Sequence, residues 1–251
     1  MKVLRYSYKD FISYGVKVDD VVKKLNGSPF DEITYSGEET SYSGIKLLAP
    51  VKPEKIIAVG LNYMSHVLEL KMDIPHVPVI FLKPPSSVIN PFDKIVRPKQ
   101  SKQVDYEAEL AVIINKDCRN VLKSRVKDYI FGYTCLNDVT ARDLQLIDSQ
   151  WTRAKGFDTF CPIGPWIETE GGWKNKRIYA QLNEKIVQDS NTNDFINSVE
   201  SLISYISSIM TLKQGDVIST GTAGGIGPMV DGDVIKVTID GIGTLENSVI
   251  D

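Results

Sequence analysis

The sequence predicts a mainly β protein with a few helices, an α+β fold. Short apolar runs, which are typical of strands, recur from residue 55 onward and are separated by Gly, Pro or Asp-Gly turns. Two segments depart from this pattern and have the spacing of apolar residues expected of helices. With 251 residues, 42% of them hydrophobic, the chain can form one large globular domain, or a large and a small one.

The first 50 residues differ from the rest of the chain. They are polar, rich in turns and broken into short strand-like pieces, and they end in "LAPVKPEK", where Pro50 and Pro53 are typical of a linker. We therefore predict a small N-terminal β subdomain at residues 1–50 and a larger domain at residues 51–251.

Six strands and two helices are predicted in the larger domain. In chain order, the strand sequences are "KIIAVG", "PVIFLK", "ELAVII", "IFGYTCLN", "DVIST" and "DVIKVTI". The segment "DFINSVESLISYISSIM" has apolar residues three and four apart, which predicts an amphipathic helix with Asn193 as its N-cap and Gly215 beyond its end. A shorter helix is predicted in "NYMSHVLELK", which follows the first of these strands.

The charge and hydropathy patterns exclude two classes of partner. There are 29 Lys and Arg residues against 32 Asp and Glu residues, a net charge of -3, and no basic tract, so we expect no nucleic-acid partner. No apolar run approaches the roughly 18 residues that span a bilayer. The first residues also lack the apolar segment of a signal peptide. We therefore expect a cytoplasmic protein without a membrane partner.

The residues that could ligate a metal limit the kind of site. The three cysteines, Cys118, Cys135 and Cys161, form no CxxC motif, which argues against a disulfide framework and against a thiolate zinc site. His66 and His76 are the two histidines, too few for a zinc site made of several imidazoles. Any metal must therefore rely on oxygen ligands, which favours magnesium, manganese or calcium.

Two carboxylates in one strand-like run, "YEAELAVIIN", suggest such a site. Glu107 and Glu109 stand one residue apart, so both side chains point to the same face of the strand. Either that face is solvated, or a cation lies between the two like charges. Asp138 in "CLNDVTARDLQ" is a candidate third ligand, although it could instead cap a helix. Three carboxylates would hold a divalent ion with positions left for water or substrate.

Two other segments contain candidate catalytic groups. His66 and Glu69 are spaced i, i+3 in the short predicted helix, so the carboxylate can orient the imidazole as a general base. The alternative is an ordinary surface pair. Lys155 in "RAKGFD" stands between a polar helix and a glycine and has aromatic residues nearby, which suggests a position near a cleft; the alternative is a solvated lysine.

The glycine-rich segment "TGTAGGIG", residues 220–227, resembles a phosphate-binding loop only superficially. It lacks the Gly-Lys-Ser/Thr ending of a P-loop, and Val230 stands where a GxGxxG motif would need its third glycine. We interpret it as a loop that approaches a ligand closely. Its backbone N–H groups and the Thr222 hydroxyl could hold a substrate carboxylate.

Six separated motifs resemble the fumarylacetoacetate hydrolase family and occur in that family's order. They are "GLNYMSHVLE", "PVIFLKPPSSV", "VDYEAELAVII", "GYTCLNDVTARDLQ", "AKGFDTFCPIGPW" and "TGTAGGIGP". The resemblance covers roughly residues 42–250, and the N-terminal stretch is similar to that of the short bacterial and archaeal members. It implies a β-roll of packed mixed sheets, in which residues 51–251 form the catalytic domain, and a homodimer.

The resemblance also implies a role for nine residues. It assigns metal ligation to Glu107, Glu109 and Asp138, catalysis to His66, Glu69 and Lys155, and substrate contact to Arg142, Gln145 and Thr222. The implied metal is Mg2+ or Mn2+, which Ca2+ can replace in crystals. The His66–Glu69 pair would activate water on a segment that becomes ordered over the substrate, and Lys155 would lie near a developing enolate.

Two positions depart from the family pattern. Ala223 stands where members usually have proline, which makes the glycine-rich loop less rigid and the role of Thr222 less secure. Leu61 stands where some members have arginine before the Asn-Tyr pair, a difference that we expect to affect substrate choice.

The function implied by this resemblance is hydrolysis of a C–C bond in acylpyruvate-like 2-oxo acids. Such a substrate can chelate a divalent ion, which stabilises the enolate left by cleavage. The same platform also suits an oxaloacetate-type decarboxylase, a 2-hydroxyhepta-2,4-diene-1,7-dioate isomerase or a sugar-acid dehydratase. Outside the enzymes, the alternative is a scaffold in which the three carboxylates hold calcium for stability.

Overall fold

The computed structural model describes the backbone of residues 1–251 and every side chain except that of Leu70. Its strands form sheets of twelve, five and three strands. The first ten strands are β1 Lys2–Tyr8, β2 Phe11–Val18, β3 Val21–Leu25, β4 Tyr35–Ser41, β5 Lys46–Leu48, β6 Ile56–Gly60, β7 Val79–Lys83, β8 Val88–Ile89, β9 Lys94–Val96 and β10 Val104–Tyr106. The next ten are β11 Ala108–Ile114, β12 Ile130–Asn137, β13 Thr140–Ala141, β14 Cys161–Glu168, β15 Arg177–Leu182, β16 Lys185–Asn191, β17 Val217–Thr222, β18 Gly227–Pro228, β19 Val234–Ile239 and β20 Gly243–Ile250. The α-helices are α1 Met64–Leu70, α2 Arg142–Ile147, α3 Thr152–Lys155 and α4 Val199–Ile209.

The predicted fold class is confirmed, and each of the six predicted strand sequences forms a strand. These are β6, β7, β11, β12, β17 and β19. The sequence pattern missed β14, which lies between β1 and β12 in the large sheet. Because β14 contains Pro162 and Pro165, and proline cannot donate to a ladder, its sequence argues against a strand.

The centre of the large sheet positions the site. β11 pairs antiparallel with β12 on one side and with β17 on the other, and all seven of its residues are buried. Ala108 of β11 lies opposite Asn137 of β12, so the residue before β11 and the residue after β12 are neighbours. The pairing thereby brings Glu107 next to Asp138.

The N-terminal strands extend the same sheet. β1 to β4 pair antiparallel in chain order, and β1 attaches to the rest of the sheet by pairing with β14 through Lys2 and Val3. The division into domains at residues 1–50 and 51–251 stays a prediction.

The five-stranded sheet, in the order β16-β15-β19-β20-β9, forms a second layer. Its buried side chains, among them Ile178 and Val237, belong to one core cluster with Leu110 and Val112 of β11. Burial of apolar surface between the two sheets therefore adds to the pairing with β12 and β17 that holds β11 in place. This layered packing of mixed sheets agrees with the β-roll that the resemblance implies.

The amphipathic helix is shorter than predicted. α4 begins at Val199, and the Ser198 hydroxyl caps it by accepting a hydrogen bond from the Ser201 amide. The prediction of Asn193 as N-cap was wrong, because that residue lies in a preceding 3-10 turn. The described residues contain no helix that combines the length and apolar character needed to cross a membrane.

Candidate active site

Three buried carboxylates meet where β11 and β12 pair. One oxygen from each of Glu107, Glu109 and Asp138 lies within 4.8 Å of the others. These residues are 4%, 1% and 1% exposed, so the alternative of a solvated strand face is wrong. Asp138 is not a helix cap either, because α2 begins at Arg142 with Ala141 in the N-cap position.

Backbone contacts fix the first and third carboxylates relative to each other. The Asp138 amide donates to the Glu107 carbonyl oxygen over 2.9 Å. The Glu107 amide in turn donates to Oδ1 of Asn137, also over 2.9 Å. Because the first bond continues the β11–β12 ladder and the second joins Glu107 to a side chain of β12, the strand pairing sets the spacing of the two carboxylates.

Three cations compensate two of the carboxylates. Lys155 Nζ lies 2.7 Å from Oε2 of Glu107 and 2.7 Å from Oδ2 of Asp138. Arg142 pairs with Oε1 of Glu107, and Lys83 pairs with Oδ1 of Asp138. Burial raises the pKa of Glu107, but Lys155 and Arg142 outweigh burial and hold that pKa well below its usual range. Glu107 is therefore ionised.

Glu109 has a different environment. Burial, followed by the nearby charges of Asp138 and Glu107, raises the pKa of Glu109 well above its usual range. Its Oε2 accepts hydrogen bonds from the Ser219 hydroxyl and the Gly221 amide, and no salt bridge to it occurs among the described residues. Glu109 would need a further cation nearby to be ionised.

The cluster fits a divalent cation in both ligand type and charge. Its three buried carboxylate oxygens are hard ligands of the kind that Mg2+ and Mn2+ prefer. Four carboxylates face three cations here, so one negative charge is left uncompensated when all are ionised. The four are Asp105, Glu107, Glu109 and Asp138, and the cations are Lys83, Arg142 and Lys155. A dication held by Glu107, Glu109 and Asp138 would supply the missing positive charge.

His66, the predicted general base, lines the same cavity as the three carboxylates, and Glu69 lies next to it. His66 is 6% exposed, whereas its partner Glu69 is exposed, and Nδ1 of His66 lies 3.3 Å from Oε2 of Glu69. Oε1 of Glu69 accepts a hydrogen bond from the Gly225 amide over 2.9 Å. At the start of α1, the amide and hydroxyl of Ser65 both donate to Asp194. The glycine-rich loop thus holds the carboxylate that orients His66.

A cavity of about 390 Å³ joins these groups. Eight of the nine residues that the resemblance singles out line it, and Glu69 stands behind His66. The eight are His66, Glu107, Glu109, Asp138, Arg142, Gln145, Lys155 and Thr222. Lys155 is 2% exposed, which excludes the solvated alternative for this residue. The structure therefore places eight of the nine predicted site residues around one cavity, and their roles stay predictions.

The three residues expected to contact substrate are already engaged within the protein. Arg142 donates to Asp105, Glu107 and the side-chain oxygen of Gln145. The Thr222 hydroxyl donates to the Ala108 carbonyl oxygen and accepts a bond from Gln188. Substrate contact by Arg142, Gln145 and Thr222 stays a prediction.

Sequence reasoning missed Lys83, at the end of β7. It is 1% exposed and donates to Asp138 and to the Val139 carbonyl oxygen. A lysine that closes an otherwise apolar strand and precedes two prolines was the available signal. Buried lysines are almost always paired, so a lysine in this position suggests a carboxylate partner without identifying it.

Fold and site together define a mainly β protein with a buried carboxylate centre suited to a divalent cation. A family model described as "Fumarylacetoacetate (FAA) hydrolase C-terminal" matches residues 55–250, and one described as "Rv2993c-like, N-terminal" matches residues 1–50. The chain belongs to the fumarylacetoacetate hydrolase family.

Relatives and solved structures agree with this membership. A protein of Archaeoglobus fulgidus is 52% identical over 87% of both chains, and the mitochondrial oxaloacetate tautomerase fahd2 of Xenopus laevis is 43% identical over 84% of this chain and 70% of its own. The 5-carboxymethyl-2-hydroxymuconate delta-isomerase of Mycobacterium smegmatis superposes with a TM-score of 0.94 at 40% identity, covering 100% of this chain and 99% of its own. The maleylpyruvate hydrolase of Sphingobium sp. SYK-6, in complex with manganese(II) and pyruvate, gives 0.83 at 30% with the same coverage. The similar proteins named as tautomerase, isomerase and hydrolase are enzymes.

Metal binding should raise the thermal stability of the wild-type protein. A ligand that binds only the folded state at 100 times its Kd adds about 2.7 kcal/mol. For a chain of this size that corresponds to a rise in Tm of about 5–10 °C. Scanning calorimetry with and without Mn2+ measures the rise in Tm. We expect Glu109→Gln to lose this rise and Glu69→Gln, which changes a carboxylate outside the triad, to keep it. An unchanged Tm in the wild type at millimolar Mn2+ would contradict the metal site.

Removing Lys83 should destabilise the metal-free protein. Lys83→Met leaves one oxygen of the buried Asp138 without its partner, a loss of about 3 kcal/mol in the free energy of unfolding. Chemical denaturation in the presence of EDTA measures this loss in the free energy of unfolding. The matched control is Lys213→Met, which breaks an exposed pair with Asp117 and should cost below about 1 kcal/mol. Equal losses in the two variants would show that Lys83 is not needed to compensate Asp138.

Proposed function

We propose that this protein is a divalent-metal-dependent hydrolase that cleaves a C–C bond in acylpyruvate-like 2-oxo acids. The observation that carries the proposal is the shared cavity, in which His66, backed by Glu69, faces the same space as Glu107, Glu109 and Asp138. A base and a site for stabilising negative charge, both within reach of one ligand, are what this hydrolysis requires.

His66 supplies the base. Its Nδ1 faces the Glu69 carboxylate, so the neutral imidazole donates its proton there and leaves Nε2 as an acceptor. In the proposed reaction Nε2 takes a proton from a water molecule that attacks the distal carbonyl carbon of the substrate. Glu69, held by the Gly225 amide, then stabilises the imidazolium that forms.

Cleavage follows from this attack. The C–C bond between the attacked carbon and the adjacent CH2 group breaks, and its electron pair passes into the enolate of pyruvate. The proton that His66 took from water then passes to the enolate carbon, which gives pyruvate and a carboxylic acid and restores the neutral imidazole. Lys155, fixed between Glu107 and Asp138, provides positive charge beside that enolate. A bound Mg2+ or Mn2+ would supply Lewis-acid stabilisation of the carboxylate and keto oxygens of the 2-oxo acid.

The second candidate is an isomerase or tautomerase of 2-oxo acids. Two similar proteins favour this candidate. One is named as an isomerase and is 40% identical to this chain, and the other is named as an oxaloacetate tautomerase and is 43% identical. Proton transfer between enol and keto forms needs the base and the charge-stabilising centre but no attacking water. Decarboxylation of oxaloacetate and dehydration of sugar acids also use an enolate and remain alternatives on the same platform.

We also propose that the protein is a homodimer, that it is cytoplasmic, and that its working ion is Mg2+ or Mn2+. The maleylpyruvate hydrolase complex with manganese(II) and pyruvate supports the choice of ion by analogy. The calcium scaffold is the non-enzymatic alternative, and a Tm that rises with Ca2+ without turnover or binding of any 2-oxo acid would favour it.

The hydrolase proposal predicts metal-dependent pyruvate release from acylpyruvates. With Mg2+ or Mn2+ the wild type should release pyruvate, and EDTA or Glu107→Ala should abolish the release. His66→Ala should lower kcat by about 10² to 10⁴, the usual contribution of a general base. His76→Ala is the matched control, because this exposed histidine lies outside the cavity, and it should leave kcat unchanged.

Two outcomes would redirect the proposal. Pyruvate release that is equal with EDTA and in Glu107→Ala would remove the metal centre from the reaction. Rapid enol–keto conversion of oxaloacetate by the wild type, with no acylpyruvate cleavage, would make the tautomerase the function. If His66→Ala lost cleavage but kept full decarboxylation of oxaloacetate, the two chemistries would be separate uses of one site.

A further inference from the structure

The cavity has a second surface that the mechanism above does not use. Besides the charged groups and the polar side chains of His66, Gln145 and Thr222, the cavity is lined by apolar residues. These are Val59 and Gly60 from β6, Leu61 just after β6, Phe81 from β7, Leu146 from α2, Trp151 before α3, and Met72. Phe81, Trp151 and Leu61 are half-buried, so part of each side chain is free to contact a ligand.

This apolar surface is built into the fold. The rings of Phe81 and Trp151 meet edge to face, with centroids 5.2 Å apart. A Cβ at Gly60 would lie 2.9 Å from the Trp151 ring, so the glycine makes room for the indole. Leu61 has a left-handed backbone with φ of 55°, which is strained for a leucine.

The cations that line the cavity are already paired. They are Lys155, bound to Glu107 and Asp138, and Arg142, bound to Asp105 and Glu107. Within the described residues, the cavity therefore offers no uncommitted lysine or arginine to a second ligand carboxylate. A carboxylate placed against Phe81 and Trp151 would therefore lose hydration without gaining a cationic partner.

We propose that Leu61, Phe81 and Trp151 bind an uncharged alkyl or aryl acyl group, so that the preferred substrates are 2-oxo acids with one carboxylate. This inference rests on the proposed action on acylpyruvates and narrows its substrate class. It sets this chain apart from a maleylpyruvate hydrolase, whose named substrate carries a carboxylate at each end.

The test compares neutral and acidic acyl groups of equal length. With Mn2+-loaded wild type, kcat/KM for an alkanoylpyruvate should exceed that for the matching dicarboxylate by about 10- to 100-fold. Binding is measured separately from turnover by the change in Trp fluorescence on addition of unreactive 2-oxo acids, alkyl-substituted or dicarboxylate. The alkyl-substituted acid should bind tighter by a similar factor, because Trp151 lines the cavity.

A variant with a new cation on the apolar surface tests whether the absence of a free cation there sets the preference. Leu61→Arg should bring the preference for the neutral acyl group to parity or reverse it, in both binding and kcat/KM. Leu122→Arg is the matched control, since it adds the same charge at a 70% exposed leucine outside the cavity. It should keep the wild-type preference.

The outcomes separate the two proposals. Dicarboxylates that bind and react as well as neutral acylpyruvates in the wild type would overturn the apolar assignment while leaving the hydrolase proposal intact. If neither kind of 2-oxo acid binds the Mn2+-loaded protein, the proposed function fails and this inference fails with it. The wild-type comparison decides the matter even if Leu61→Arg does not fold.

Discussion

Compensation of three buried carboxylates is the constraint on which the site depends. Dehydrated like charges within 4.8 Å repel strongly unless cations or proton donors lie against them. The cations come from three separate segments, since Lys83 ends β7, Arg142 begins α2 and Lys155 ends α3. Each segment must therefore pack against the β11–β12 junction for the carboxylates to be tolerated there. The fold and the site are stabilised by the same contacts.

The compensation is uneven, and this gives the cluster its chemical character. Cations contact Glu107 and Asp138, whereas Glu109 receives neutral donors, one of which is the Gly221 amide. Gly221 has a left-handed φ of 95°, and a Cβ there would lie 2.8 Å from the Asn62 side chain, so only glycine brings its amide to this point without strain. A site with one undercompensated carboxylate stabilises an added cation more than a fully paired one would.

Periodicity in the sequence predicted the parts of the site that lie within one element. Spacing by two put Glu107 and Glu109 on one face, and spacing by three put Glu69 beside His66. The sequence did not reveal Lys83, because its contact with Asp138 depends on the sheet order β12-β11-β17-β6-β7, which no local pattern encodes. For the same reason, the internal partners of Thr222 were not foreseen. Apolar runs found the central strands, but the prolines of β14 concealed a strand that its neighbours in the sheet impose.

The cavity has a charged part and an apolar part. In our proposal this division explains why membership of the family points to an enolate intermediate more clearly than to one particular product. In the proposed mechanism, the carboxylates and Lys155 would act on the part of a ligand that every 2-oxo acid shares. One charged centre would then suit the different chemistries of relatives named as hydrolase, isomerase and tautomerase. In the same proposal, the rest of the ligand would lie against His66 and the apolar surface. Because the glycine-rich loop holds Glu69, which contacts His66, the distance from His66 to the distal carbonyl would depend on how deeply the acyl group packs against Phe81 and Trp151. The acyl group would thus determine whether the base meets water, a C–H bond or neither.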